Sequence, residues 1–155
     1  MRAKIVPDVV EARPPLALPS AASVRQAATM MADNRVAAVL VIDDGELVGI
    51  FTERDVTVRV VAAGLPPDTT LLQRVMTPEP ATLAADDSVG QALEAMRRMK
   101  VRHLPVIGED GTVVAVVSVR DLLVALQKEL ETEVLSRDAH IFGLSDAWTP
   151  SEHDI

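Results

Sequence analysis

The sequence predicts an α+β fold made of two copies of one helix–β-hairpin–helix unit. Three observations carry that reading. Thr52-Glu-Arg-Asp55 and Ser118-Val-Arg-Asp121 are one four-residue device that occurs twice, 66 positions apart. Each device follows an apolar strand-like run, residues 47–51 or 113–117, and precedes a helical pattern. Finally, stretches 23–56 and 88–122 align with one inserted residue in the second copy. The alignment pairs Ser23 with Ser88, Gln26 with Gln91, Met31 with Met96, Val41 with Val106, Gly45 with Gly111 and Asp55 with Asp121.

Each element follows from local chemistry. Pro14-Pro15-Leu-Ala-Leu-Pro19 reads as an extended lead-in to the first copy. Ser23-Val-Arg-Gln26 and Ser88-Val-Gly-Gln91 are capping boxes, with a Ser hydroxyl at the N-cap and a Gln three residues on to reach back. Apolar residues then recur at Val24, Ala27, Ala28 and Met31, and at Val89, Ala92, Leu93 and Met96, one face of an amphipathic helix in each case. Short apolar runs at 38–42 and 104–107 end in Asp43-Asp-Gly45 and Gly108-Glu-Asp-Gly111, which makes each copy a β-hairpin. A second helix is expected over 54–63, closed by Gly64 and Pro66, and its twin from Asp121 onward. Val75-Met-Thr-Pro-Glu-Pro80 is the connector, held extended by its prolines. The last helix is expected to run to about Leu135, and 136–155, with Ile141, Phe142 and Trp148, reads either as a docking tail or as a disordered end. The division that results is repeat one at 1–70, repeat two at 71–130, and a helical extension and tail at 131–155.

Composition narrows the function. Of the 155 residues 48% are hydrophobic, enough for a buried core, and no apolar run reaches the roughly 20 residues that span a bilayer. The absence of cysteine rules out disulfides and thiolate chemistry and suits a reducing cytoplasm, where the chain is expected to reside. A net charge of −8 argues against nucleic acid as the main partner, and two Phe and one Trp give no stacking platform for single strands. The three histidines are His103, His140 and His153, and no Ser–His–Asp order, metal-ligand cluster or P-loop accompanies them, so an enzyme is not expected.

The repeated hallmarks resemble a tandem pair of CBS domains, the Bateman module. They are Gly49-Ile-Phe-Thr-Glu-Arg-Asp55, Val101-Arg-His-Leu-Pro-Val106, Asp110-Gly111, Ser118-Val-Arg-Asp121 and the Val75-Met-Thr-Pro78 connector. The resemblance spans residues 5–130 or so. It implies two halves packed sheet to sheet about a pseudo-twofold axis, with two clefts between them. It further implies a homodimer, and an adenosine nucleotide or S-adenosylmethionine in the clefts as a regulatory ligand rather than an obligatory cofactor. With no effector domain in these residues, the output is expected to pass to an effector protein or the tail.

For Thr52, Asp55, Ser118 and Asp121 the plainest reading is a further capping box at each second helix. The same geometry suits a ligand: a helix N-terminus favours phosphate, and a carboxylate one turn away accepts ribose hydroxyls. The resemblance assigns ribose to these Asp residues and places the Ser/Thr near phosphate. Arg54 and Arg120 are poorly placed for the helix dipole, and their recurrence suggests phosphate pairing. By resemblance Arg102, His103 and Pro105 border the adenosine cleft, and Thr82 meets the ligand, where the first copy has Ala37, Ala38, Leu40 and Ala17. The clefts are therefore expected to be unequal, the one with Ser118 and Asp121 being more polar, more basic and the stronger site. Ala115 in place of Gly49 is expected to narrow it. Without aromatic rings, adenine would lie between aliphatic side chains. The alternative is a structural dimerisation module that takes no small molecule.

Overall fold

The computed structural model describes residues 3–141. In chain order it comprises a turn at Ile5–Val9, closed by the Val10 N–H on the Ile5 carbonyl, β1 (Ala17–Leu18), α1 (Val24–Asn34), β2 (Ala38–Asp43), β3 (Glu46–Thr52) and α2 (Glu53–Asp55), which continues as a wider helical turn over Val56–Val61. The second half holds α3 (Leu72–Val75), β4 (Thr77–Pro78), β5 (Leu83–Ala84), α4 (Val89–Met99), β6 (His103–Ile107), β7 (Val113–Ser118) and α5 (Val119–Ile141).

Both capping boxes form as expected. In each, the Ser Oγ accepts from the Gln backbone N–H at 3.2 Å and the Gln Oε1 accepts from the Ser N–H at 2.8 Å. Such a cap contributes about 1 kcal/mol. Both helices end on a cationic residue in the left-handed region, Arg35 at φ 53 and Lys100 at φ 56. The first hairpin turns through Asp44 and Gly45 at φ 50 and 81, the positive-φ pair that matches strand twist. In the longer second turn Gly111 takes φ 80 and the Gly108 N–H donates to the Thr112 carbonyl at 2.9 Å.

Two sheets result, ordered β1-β2-β3-β4 and β5-β6-β7, each with one parallel pair followed by an antiparallel hairpin. The helices cover the outer faces. Val24, Met31, Val41, Phe51, Val60 and Leu72 belong to one core, and Ile5, Val89, Met96, Val106, Val117 and Leu122 to the other. Leu40 and Ile50 on the inner face meet Val113 and Val116 of the second repeat, so the sheets face each other. At about 25 cal/mol per Å² of apolar surface, the first two clusters stabilise each half and the third joins the halves.

The connectors cross between repeats, and symmetrically. β4 lies in the lead-in of the second repeat yet pairs with β3 of the first, where the Glu79 N–H donates to the Val48 carbonyl at 3.1 Å. In the lead-in of the first repeat, the Arg13 N–H donates to the Val114 carbonyl of β7 at 2.9 Å. Likewise the Leu72 N–H reaches the Ala22 carbonyl and the Ile5 N–H the Asp87 carbonyl, both at 2.9 Å. Ile5 is thereby buried in the core of the second repeat.

Three expectations shift at the edges. The second helix starts at Glu53 and its regular part ends at Val61, ahead of Gly64 at φ 67. A short helix, α3, whose Leu72 and Val75 are both buried, precedes the connector, which is extended at Met76 and through β4 and turns at Glu79, φ 45. And α5 runs past 135 to Ile141. No helix among the described residues is long and apolar enough to cross a membrane. Phe142 and Trp148 of the expected tail lie outside the described residues.

Candidate functional site

The two devices are built alike. Asp55 Oδ2 accepts from the Thr52 N–H at 2.9 Å and from Thr52 Oγ1 at 3.0 Å, while the Asp55 N–H donates to Thr52 Oγ1 at 3.3 Å. In the second copy, Asp121 Oδ2 accepts from the Ser118 N–H at 2.8 Å and from Ser118 Oγ at 2.7 Å, with the Asp121 N–H on Ser118 Oγ at 3.2 Å. The capping reading thus holds for both.

The second carboxylate oxygens differ. Asp55 Oδ1 lies 3.3 Å from Arg59 Nε, one helical turn on. Arg59 Nη1 also donates to the carbonyls of Val75 and Met76, at 3.1 and 2.9 Å. In the second copy the position of Arg59 is occupied by Ala125. Among the described residues, Asp121 Oδ1 has neither a hydrogen-bond nor an ion-pair partner.

Asp121 lines a cleft of about 820 Å³ between the repeats. One wall is the crossing segment 10–16, a second comes from Arg35, Val36, Ala37, Ala38 and Glu53, and a third from Arg102, His103, Ala115, Val116, Ser118, Arg120 and Asp121. Four arginines (Arg13, Arg35, Arg102, Arg120) face three carboxylates (Glu11, Glu53, Asp121), a local positive balance in a chain of net charge −8. Leu16, Val36, Ala37, Ala38, Ala115 and Val116 supply the apolar surface. The volume falls within the range of about 300–1,000 Å³ usual for small-molecule sites. Burial pushes the His103 imidazole below its ordinary value, against the pull of Glu53 and Asp121 and with a smaller push from Arg102.

Five of the expected residues therefore converge in one cleft: Arg102, His103, Ser118, Arg120 and Asp121. Thr52, Arg54 and Asp55 sit together at the other device, where Arg54 is exposed. Thr82 is exposed and Pro105 buried, and neither lines this cleft. The segment that does so is 13–16, because each connector crosses to the other repeat before entering its own. The contrast between Ala37 and Ala38 and Arg102 and His103 is also not one between clefts, since all four line the same one. Ala115 lines the cleft, whereas Gly49 answers to a different neighbour. A Cβ at Gly49 would collide with Met76 Sδ and come within 3.2 Å of the Thr77 carbonyl, so the glycine makes room for the connector.

Sequence reasoning passed over Arg13, Arg35 and Arg59. Arg35 had a signal, the recurrence of a cation at both helix ends, Arg35 and Lys100. Arg59 had none, because its twin is an alanine. No group of three or more His, Asp or Glu side chains suited to a metal ion occurs among the described residues.

Comparison with known proteins fits this geometry. A family model for the CBS domain matches twice, over residues 8–62 and 72–128. The meiotically up-regulated gene 70 protein of Schizosaccharomyces pombe is 40% identical over 111 residues, 72% of this chain but 15% of that protein. A mitochondrial CBS domain-containing protein of Arabidopsis thaliana is 31% identical over 126 residues, 78% of this chain and 61% of its own. Among solved structures, a CBS domain protein of Pyrobaculum aerophilum complexed with AMP matches with a TM-score of 0.68 and 33% identity, covering 77% of this chain and 89% of that one. The CBS domain pair of protein MJ0100, in complex with 5′-methylthioadenosine and S-adenosyl-L-methionine, matches in fold with a TM-score of 0.73 at 21% identity, covering 83% and 99%. With both repeats matched and the paired sheets in place, the chain belongs to the CBS domain family, as a tandem pair.

Proposed function

We propose that this chain is a regulatory module, not an enzyme, and that it binds an adenosine-containing ligand (AMP, ADP, ATP or S-adenosylmethionine) in the cleft at Ser118 and Asp121. The observation that carries the reading is the Asp121 carboxylate. One oxygen is spent on the cap while the other has no partner among the described residues, and Asp121 lines a cleft with four arginines and an aliphatic wall. Asp121 Oδ1 accepts the ribose hydroxyls, and Arg102 and Arg120, with Arg13 and Arg35, pair phosphate oxygens. Adenine lies between Leu16, Val36, Ala38 and Val116. The AMP complex of the Pyrobaculum aerophilum relative supports this ligand class.

The cleft draws its walls from both repeats, so a ligand in it favours one relative placement of the halves, as far as its affinities for the alternatives differ. A homodimer is the assembly that best fits the surface. Leu123, Leu130, Val134 and Leu135 on α5 are 52–70% exposed, and a shallow apolar groove runs between them. An effector protein then reads the state of the dimer.

The test is a thermal melt with AMP, ADP, ATP, NADH and S-adenosylmethionine at a few millimolar. Ligand at about 100 times its dissociation constant adds about 2.7 kcal/mol. For a chain of this size that is a rise of about 5–10 °C. A shift with one or two adenosyl ligands supports a sensor. A flat panel favours the structural module, a reading the closed Thr52/Asp55 device suits equally well.

A further inference from the structure

We infer that Arg59 closes the first device to ligand: it converts the Asp55 carboxylate from a ribose acceptor into a clasp on the connector, leaving one adenosine site per chain, at Asp121. The inference rests on the proposed reading of the Asp121 cleft.

In both devices Oδ2 is consumed by the cap, so a ribose must use Oδ1. At Asp121 that oxygen has no partner among the described residues, and at Asp55 it is 3.3 Å from Arg59 Nε. The Asp55 side chain is only 14% exposed, while Arg59 is 44% exposed and meets water on its outer side. Arg59 is itself held from the far side by the Val75 and Met76 carbonyls, so two backbone acceptors and one ion-paired carboxylate on two segments fix one guanidinium. Presenting Asp55 Oδ1 to a ribose means withdrawing Arg59 and leaving both carbonyls without their donor. A second feature points the same way. Val10 lines the Asp121 cleft, whereas its counterpart Met76 carries a longer side chain laid against Gly49. The connector that Arg59 holds leads directly into β4, the strand that joins the second repeat to the sheet of the first. The first device thus fastens the repeats together, while the second stays open to ligand.

The experiment combines calorimetric titration of the full chain with AMP and thermal melts, for wild type, Asp55→Asn, Arg59→Lys, the Asp55→Asn/Arg59→Lys double variant and Asp121→Asn. The conservative changes keep size and cap geometry. Expected are one AMP per wild-type chain, and unchanged stoichiometry with affinity within about twofold in Asp55→Asn. The Asp55 and Arg59 variants should each melt about 2–4 °C lower, and the double variant no lower than the worse single one. Two AMP per wild-type chain, a loss of AMP binding in Asp55→Asn, or melting shifts that simply add would overturn the clasp. If wild type binds no AMP, the ligand reading falls and the one-site count with it. The coupling of the two melting shifts still decides whether Arg59 clasps the connector.

Discussion

Replacing Asp121 with Asn separates its two jobs. The cap uses Oδ2, which accepts from the Ser118 N–H at 2.8 Å and Ser118 Oγ at 2.7 Å. An Asn carbonyl placed there keeps both acceptor contacts, so the loss of charge at the first turn of α5 costs about 0.3–1 kcal/mol. In this chain that is a fall in Tm of about 1–4 °C. On the cleft side the change is more severe, because an NH₂ donor replaces the oxygen that accepts the ribose hydroxyls. Hydrogen bonds to a charged acceptor contribute about 1.5–3 kcal/mol, so the AMP dissociation constant should rise about 10- to 150-fold. The assay is calorimetric titration at fixed pH and salt, with Tm measured on the same samples. An affinity within threefold of wild type in a variant of unchanged Tm would refute the assignment of ribose to Asp121. So would a loss of binding matched by collapse of the fold, since Asp121 would then be a cap and nothing more.

Other consequences follow from the same geometry. Gly49→Ala drives a methyl into Met76, and overpacking of this kind costs about 1–3 kcal/mol; a paired Met76→Val change, copying Val10 opposite Ala115, should recover most of the lost Tm, and a harmless Gly49→Ala would contradict the contact. His103, depressed by burial, binds a proton less readily folded than unfolded, so its contribution is complete above about 6.5 and is lost as pH falls through that value toward its lower folded one. The drop in Tm between pH 8 and 5.5 should therefore be smaller in His103→Gln; equal drops would show that His103 is not the group concerned. Leu40→Ala empties the seam between the sheets at a fully buried position and should cost about 2–5 kcal/mol, read as a fall in chemical-denaturation stability, with a loss below 1 kcal/mol arguing against the seam. Leu130→Glu with Val134→Glu places charge on the exposed stripe of α5 and should turn a sedimenting dimer into a monomer while Tm at low protein concentration holds; an unchanged dimer would place the interface elsewhere.

Much of this fold was legible because its signals are local. Ser23 with Gln26 and Ser88 with Gln91 are read from three-residue spacings, and the Asp44-Gly45 turn from two residues. Duplication reinforced each signal, since every element could be checked against its twin. What escaped was long-range. That residues 13–16 line the cleft with Ser118, whereas Thr82 does not, depends on connectors that cross between repeats over a separation of about 100 residues. No local pattern encodes that crossing. Duplication also misled: it paired Ala115 with Gly49 as though both met a ligand, while the glycine answers to Met76. It assigned ribose to Asp55 and Asp121 alike, because the residue that separates them, Arg59, acts 16 and 17 positions away on the Val75 and Met76 carbonyls.

The most direct test of the central claim is a crystal structure of the chain grown with AMP. The account predicts one nucleotide per chain, its ribose hydroxyls on Asp121 Oδ1, its phosphate among Arg102, Arg120 and their neighbours, and Arg59 still on Asp55. Density beside Asp55 alone, or an empty Asp121 cleft at saturating AMP, would contradict it.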